Sequence, residues 1–308
     1  GAIIMTKKTE NIVRQGHKKR RFRFVTVTLI LAAITLLLSV LLLVLGNTRY
    51  PLRDVVKVLL GEQIQGAAFA IRTIRLPRML SGLLAGISFG IAGNTFQTML
   101  RNPLASPDII GVTSGSSVAA VFCILILKLS GATVSVIAVF SGLLVAMLIY
   151  GLSSGGNFSG GRLILIGIGI QAMLNAVISF LLLKASEYDV PTAFRWLNGS
   201  LNGIQMRNIP ALFIAVLIFG TIIFILGRNL KVLELGEQSA ITLGLKTDLT
   251  RILLILSSVC LIAFATSVTG PISFVAFLAG PIAGRLVGTG EAPGKGIESS
   301  YFRTTGKS

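Results

Sequence analysis

The sequence predicts an all-α, polytopic membrane helical bundle of about eight transmembrane helices. Three observations predict it. Hydrophobic residues make up 53% of the 308 and charged residues only 13%, with a mean hydropathy of +0.85. The apolar residues fall into runs long enough to cross a hydrocarbon core of ~30 Å. Short stretches rich in Gly, Pro, Asn and basic residues separate those runs. That balance belongs to a polytopic membrane protein rather than to a soluble domain. The formal charge of +17 does not point to nucleic acid. The basic residues sit in the N-terminal tail and the loops, with no basic face interleaved by aromatics. In a membrane protein such residues are orientation signals and contacts to lipid headgroups.

Residues 1–23 form a basic tail carrying Lys7, Lys8, Arg14, Lys18, Lys19, Arg20, Arg21 and Arg23. The apolar run 24–46 is too long for a signal-peptide core and lacks a small-residue cleavage site. It therefore reads as a retained first helix, with the N-terminus in the cytoplasm. Residues 47–78 then lie outside. Leu52, Val55, Val56, Leu59 and Leu60 suggest a short amphipathic helix there. Arg49, Arg53, Lys57, Arg72, Arg75 and Arg78 give this outer loop a positive charge that runs against the usual orientation bias. Drift of a loop after the first helix has fixed orientation accounts for it, and so does a cationic dock for an acidic partner.

The second span covers about 79–97. Gly82, Gly86 and Gly90 share one of its faces, which lets a neighbouring backbone approach closely. The loop 102–107 is expected inside, because Pro103 and Pro107 forbid a continuous helix. Further spans are expected over about 111–128, 132–150, 162–184, 209–227, 250–268 and from 271 to about 287, the last interrupted by Gly280, Pro281 and Gly284. In the fifth, Gly167, Gln171, Asn175 and Ser179 recur every fourth residue and so share a face. Polar side chains there serve either interhelical hydrogen bonding or the wall of a polar path. Asn94 and Gln97, near the end of the second span, allow the same two readings. Residues 228–249 are polar. Within them Glu237 to Leu243 can form two helical turns, with Glu237 at the end the dipole favours and Gly244 where a left-handed cap is wanted.

Several chemistries are excluded. Residues 151–155 fit G-x-S-x-G, but that motif needs a strand–turn–helix and a histidine partner, and the single histidine, His17, lies in the tail. No His, Cys or carboxylate cluster could hold a metal. Cys123 and Cys260 lie inside apolar spans, where packing is their expected role. Gly306-Lys307-Ser308 resembles the end of a phosphate-binding loop, but Tyr301 occupies the first glycine position. No cofactor is expected, and no catalytic constellation is present.

The stretch from Arg75 to Ser117 is the most specific. It holds Arg75-Leu76-Pro77-Arg78 as a basic turn, then a glycine-rich helix, then Asn102-Pro103-Leu104-Ala105-Ser106-Pro107-Asp108-Ile109-Ile110-Gly111, closed by Gly115. It resembles the FecCD-type permease subunits of the ABC importers that carry iron-siderophores and vitamin B12. Trp196 to Leu201, Leu235 to Gly244 and Gly270 to Val275 resemble further segments of that pattern. The resemblance implies substrate translocation across a bacterial cytoplasmic membrane, with ATP hydrolysed by a separate subunit. It implies a second permease subunit, identical or not, two ATPase subunits and an extracytoplasmic substrate-binding protein. Arg75 and Arg78 match the docking arginines. In such a permease the polar residues Gln171, Asn175, Ser179, Asn94 and Gln97, read above either as interhelical hydrogen-bonding groups or as path wall, are the candidates for its translocation path. Glu237, Ala240, Leu243 and Gly244 match the segment that couples to the ATPase, and the loop 151–161 lies where the inner gate forms. An iron-siderophore is the expected cargo, with vitamin B12 or haem as alternatives. The resemblance covers 24–287. Residues 288–308 are a polar tail without it, and Ile282 stands where a histidine is expected. The family has about ten spans against about eight here. A truncated or frameshifted form, or a non-transporting remnant, is therefore also expected.

Overall fold

The computed structural model describes residues 2–103, 105–154, 160–234 and 236–288. The centre of the expected gate loop and the polar tail lie outside the described residues. The described residues contain no strand. Six helices are long and apolar enough to cross a membrane, and Val112–Leu125 and Val275–Val287 are shorter apolar helices. These eight are the expected spans.

The described residues form two compact units, residues 2–41 with 281–288, and residues 42–280. In the first, Arg23 on α1 (Ala2–Val44) meets the last turn of α12 (Val275–Val287). Its Nε donates to the Leu286 carbonyl at 2.9 Å and its Nη2 to that of Arg285 at 3.2 Å. A guanidinium is well placed at carbonyls that have no helical partner and carry the negative end of the dipole.

The second unit begins with α2 (Leu52–Leu60), whose buried Val55 and Val58 are the inward side of the expected amphipathic helix. Next comes α3 (Ala67–Met99). The expected basic turn at Arg75–Arg78 is helical instead. Ala70–Arg75 is a π-helical stretch in which the Leu76 N–H donates to the Ile71 carbonyl, and the α-helix resumes at Leu76. Pro77 lacks a donor, and its ring crowds the carbonyl four residues back. The wider π turn accommodates both without breaking the helix.

The Asn102–Pro107 segment, expected as a cytoplasmic loop, turns back into the protein. Ala105, Ser106 and Pro107 are buried, and a 3-10 turn at Pro107–Ile110 leads through Gly111 into α4 (Val112–Leu125). With 14 residues, α4 is only about 21 Å long, and the inward-running segment supplies the rest of the crossing. Irregular backbone at such depth is tolerated only inside protein or along a polar cavity, and this segment has both.

α5 (Ala132–Ser153) pairs with α4 through reciprocal serines. Ser116 Oγ donates to the Ala138 carbonyl at 2.8 Å, and Ser141 Oγ to that of Gly115 at 2.9 Å. Such bonds and small residues take over where lipid removes the hydrophobic drive between helices. α6 (Gly160–Lys184) follows, then α7 (Val190–Leu197), an amphipathic helix inside a stretch expected as loop. Pro191 in its first turn starts it. After α8 (Ile209–Ile225) come α9 (Gly227–Glu234) and α10 (Glu237–Thr242), then α11 (Thr247–Thr269). α11 is the centre of this unit. Its apolar window is 72% buried, against 17% for α6, and it packs on α3, α5 and α8. Phe96, Ile149, Leu212, Leu254, Leu261 and Ile262 form the core there.

The glycine row expected to admit a neighbouring backbone is not the tight contact. A methyl at Gly86 would meet nothing within 4 Å, and one at Gly90 only ordinary contact with Ala279. Gly93, one turn on from Gly90, is where α3 touches backbone. A methyl there would overlap the Ala276 carbonyl at the start of α12.

Candidate functional site

The two arginines of the Arg75–Arg78 stretch have different surroundings. Arg75 is only 9% exposed. Its Nη1 donates to the carbonyls of Leu43 and Val44 at 2.8 and 3.0 Å, and its Nη2 to that of Thr48 at 2.6 Å. Its guanidinium carbon also lies 5.0 Å from the Tyr50 ring centre. The Leu43 and Val44 carbonyls close α1, so the charge sits where the helix dipole favours it. Arg72 does the same for α2, donating through Nε to the Val58 carbonyl at 2.8 Å. Arg78 is half-buried, and among the described residues its guanidinium has no partner. Of Arg72, Arg75 and Arg78, the first two therefore fasten the loop, while the Arg78 guanidinium meets no partner among the described residues.

The polar residues expected along a path also divide. Gln171 and Asn175, one turn apart on α6, line a cavity of about 240 Å³. Ser179 is exposed one turn further and donates to the Asn175 carbonyl of its own helix at 3.0 Å. Gln97 is buried, and its Nε2 donates to the Phe277 carbonyl at 2.8 Å, tying α3 to α12. Asn94 is exposed, with its Oδ1 beside Gly280 on the same crossing. Gln171 and Asn175 thus face open space, while Asn94 and Gln97 gather at a helix crossing outside that cavity.

The cavity has a wall that sequence reasoning missed. Asp108, Thr113, Ser117 and Ser273 line it with the two amides. Asp108 sits on the inward-running segment, where Ser106 Oγ donates to its Oδ2 at 3.1 Å and Thr113 Oγ1 donates to its Oδ1. The available signal was an acidic residue in an otherwise apolar stretch, flanked by two hydroxyl residues within reach.

The polar segment after α8 is built as a capped pair of helices. Leu230 and Leu233 bury the inner side of α9, and Ala240, with no exposed surface, anchors α10 to the same core. Glu237 opens α10 and Leu243, 66% exposed, follows it. Gly244 has φ +80°. Its N–H donates to the Ile241 carbonyl at 2.9 Å, and the Leu245 N–H to that of Ala240 at 3.0 Å. This is a Schellman cap, the left-handed termination that glycine permits at least cost. The result is a short rigid helix with its small residue inward and Ile241 and Leu243 outward.

Comparison with known proteins gives consistent matches across this framework. The model of the FecCD transport family matches residues 30–294. The chain is 34% identical over 283 residues to the achromobactin transport system permease protein CbrC of Dickeya dadantii (strain 3937), covering 91% of this chain and 81% of that protein. It is 34% identical over 236 residues to the ferric enterobactin transport system permease protein FepG of Escherichia coli (strain K12), covering 77% and 72%. A solved structure described as an inward-facing conformation of a transporter of metal-chelate ABC type superposes with a TM-score of 0.71 at 28% identity, covering 86% of this chain and 83% of that one.

Proposed function

The chain belongs to the FecCD transport family and is a multi-pass membrane permease subunit of an ABC importer, and from that premise we propose that its cargo is an iron-siderophore. The observation that carries this reading is the extent of the family match. It runs from within α1 past α12 and so includes the polar cavity and the capped segment. The importer holds this chain with a second permease subunit, two ATPase subunits and a substrate-binding protein, in a bacterial cytoplasmic membrane with the N-terminus inside. The basic tail ahead of α1 supports that orientation.

Within this assembly Gln171 and Asn175 form part of the path, since amides facing a cavity at mid-helix avoid the cost of burial in lipid. Gln97 serves it indirectly by tying α3 to α12, with Asn94 beside that crossing, and Ser179 bonds within α6 one turn beyond Asn175. The segment of Glu237, Ala240, Leu243 and Gly244 couples to the ATPase. A short rigid helix passes ATPase closure to the membrane helices as a rigid-body push. The decisive test is uptake of a radioactive ferric siderophore by proteoliposomes holding the assembled importer. ATP-driven uptake supports the reading. Uptake of cobalamin or haem alone moves the cargo, and failure to co-purify with the ATPase favours a non-transporting remnant.

Two substitutions refine it. Gly244→Val forces a β-branched residue into left-handed backbone at a cost of about 1–2 kcal/mol. That reduces the capped population roughly tenfold. ATPase co-purification and uptake should fall together while the membrane-spanning unit stays folded; normal co-purification would remove the segment from the coupling role. For docking, Arg78 supplies the available charge and Arg75 the fixed loop that presents it. Exposed pairs contribute about 0.2–1 kcal/mol each and act mainly on encounter. Arg78→Glu should therefore weaken binding of the substrate-binding protein several-fold and flatten its salt dependence. An unchanged association rate at low salt would end that assignment.

A further inference from the structure

Among the described residues, Asp108 is the one acidic residue placed beside helices in mid-course. The sequence holds eleven acidic residues. Among the described residues, Glu10 lies in the N-terminal tail, and the others lie in or next to the segments between the spans: Asp54 and Glu62, Glu187 and Asp189, and Glu234, Glu237 and Asp248. Asp108 instead shares its cavity with Phe89, inside α3, and with Gln171 and Asn175. Those amides stand about 17 and 23 Å along α6 from its start at Gly160. Among the described residues that line the cavity, Asp108 carries the one formal charge; the other polar side chains are hydroxyl and amide.

Ser106 and Thr113 hold the carboxylate by donating to one oxygen each. Two bonds leave about half of its acceptor sites open. Among the described residues no Lys or Arg pairs with it. A charge at such depth is costly unless it meets a partner or water, and polar groups kept there mark a path. Low-dielectric walls around the cavity also focus its field toward whatever enters.

We infer that this cavity is a charge-selecting contact in the path. Asp108 favours cargo presenting cationic, N–H or O–H groups and repels chelates rich in anionic oxygen. The inference rests on the reading of Gln171 and Asn175 as path wall, and it narrows the cargo class to neutral or cationic ferric chelates. Thr113 and Ser106 act as positioning residues that keep the carboxylate aimed.

The test uses the assembled importer in proteoliposomes and two probes, a ferric trihydroxamate bearing a protonated amine and a ferric tris-catecholate. Asp108→Asn keeps the shape and an acceptor for Thr113 while removing the charge. With the binding protein unchanged, any shift in the uptake ratio belongs to the permease. The cationic-to-anionic uptake ratio should fall roughly tenfold in Asp108→Asn, as expected for one unit charge at close range in a partly polar site. An unchanged ratio with uptake retained overturns the inference. A second measurement needs neither transport nor cargo. With Asn175→Cys, a cationic thiol reagent should label faster than an anionic one of equal size. That preference should vanish when Asp108→Asn is added and persist with Asp108→Glu. Equal labelling beside intact Asp108 overturns the inference. If neither chelate is transported while the labelling preference holds, the proposed cargo fails and the charge-selecting cavity stands.

Discussion

Replacing Arg75 by alanine is expected to destabilise the permease by about 3 kcal/mol, the scale of losing charged hydrogen bonds at a buried site. Three backbone carbonyls, those of Leu43, Val44 and Thr48, accept from this one side chain, and Val44 accepts the Tyr50 N–H as well. Two of them end α1, where the ladder supplies no donor. The Tyr50 ring beneath the guanidinium adds a cation–π contact. The guanidinium packs closely in this space, since a methyl on Gly46 would collide with it. Arg75→Lys should recover only part of the loss, since an ammonium cannot span donors as a planar fork does. Thermal unfolding of the purified permease reads the effect, with Arg78→Ala as the neighbour that should leave the midpoint unchanged. A wild-type midpoint for Arg75→Ala, with binding-protein docking lost, would instead make Arg75 a docking residue alone.

Gly93→Leu is expected to be at least as damaging. The obstacle is the Ala276 backbone carbonyl rather than a side chain that could rotate away. Separating α3 from α12 at this point also breaks the bond from Gln97 to the Phe277 carbonyl, one turn along. Overpacking costs about 1–3 kcal/mol and the buried hydrogen bond about 1 more. Gly86→Ala, where the added methyl meets nothing within 4 Å, should be neutral. The measurement is again the unfolding midpoint, with the labelling rate of Gln97→Cys reporting whether the crossing has opened. Equal midpoints for the Gly93 and Gly86 variants would show that the helix pair yields at no cost.

The spans were legible because an apolar run bounded by Gly, Pro and charge has few alternatives in a membrane. The cap at Gly244 was legible too, since a glycine after two helical turns has one common use. The path of residues 102–111 was not. Proline and asparagine break a helix equally well in water and in a protein-lined cavity, and only packing decides which. Arg75 and Arg78 look alike in sequence. They differ because three residues on a π-widened helix turn one toward the end of α1 and leave the other free. For the same reason Gln97 and Gln171, both amides in apolar helices, read as one kind of residue until Gln97 finds a carbonyl and Gln171 a void. Asp108 was quoted within its motif, yet its depth follows from the inward-running backbone.

The reciprocal serines of α4 and α5 have a mechanical consequence. Each bond joins a side chain of one helix to the backbone of the other, in opposite directions across a single seam. Sliding by one residue would strip both at once, where lipid offers no substitute donor. The two helices therefore move as one plate. Asp108 travels with that plate, because Thr113 lies in the first turn of α4. The facing amides ride on α6, which is far less enclosed. On the proposed function, a cycle that widens or narrows the path is expected to shift α6 against this plate, so that the carboxylate keeps its aim while the opposite wall changes its distance.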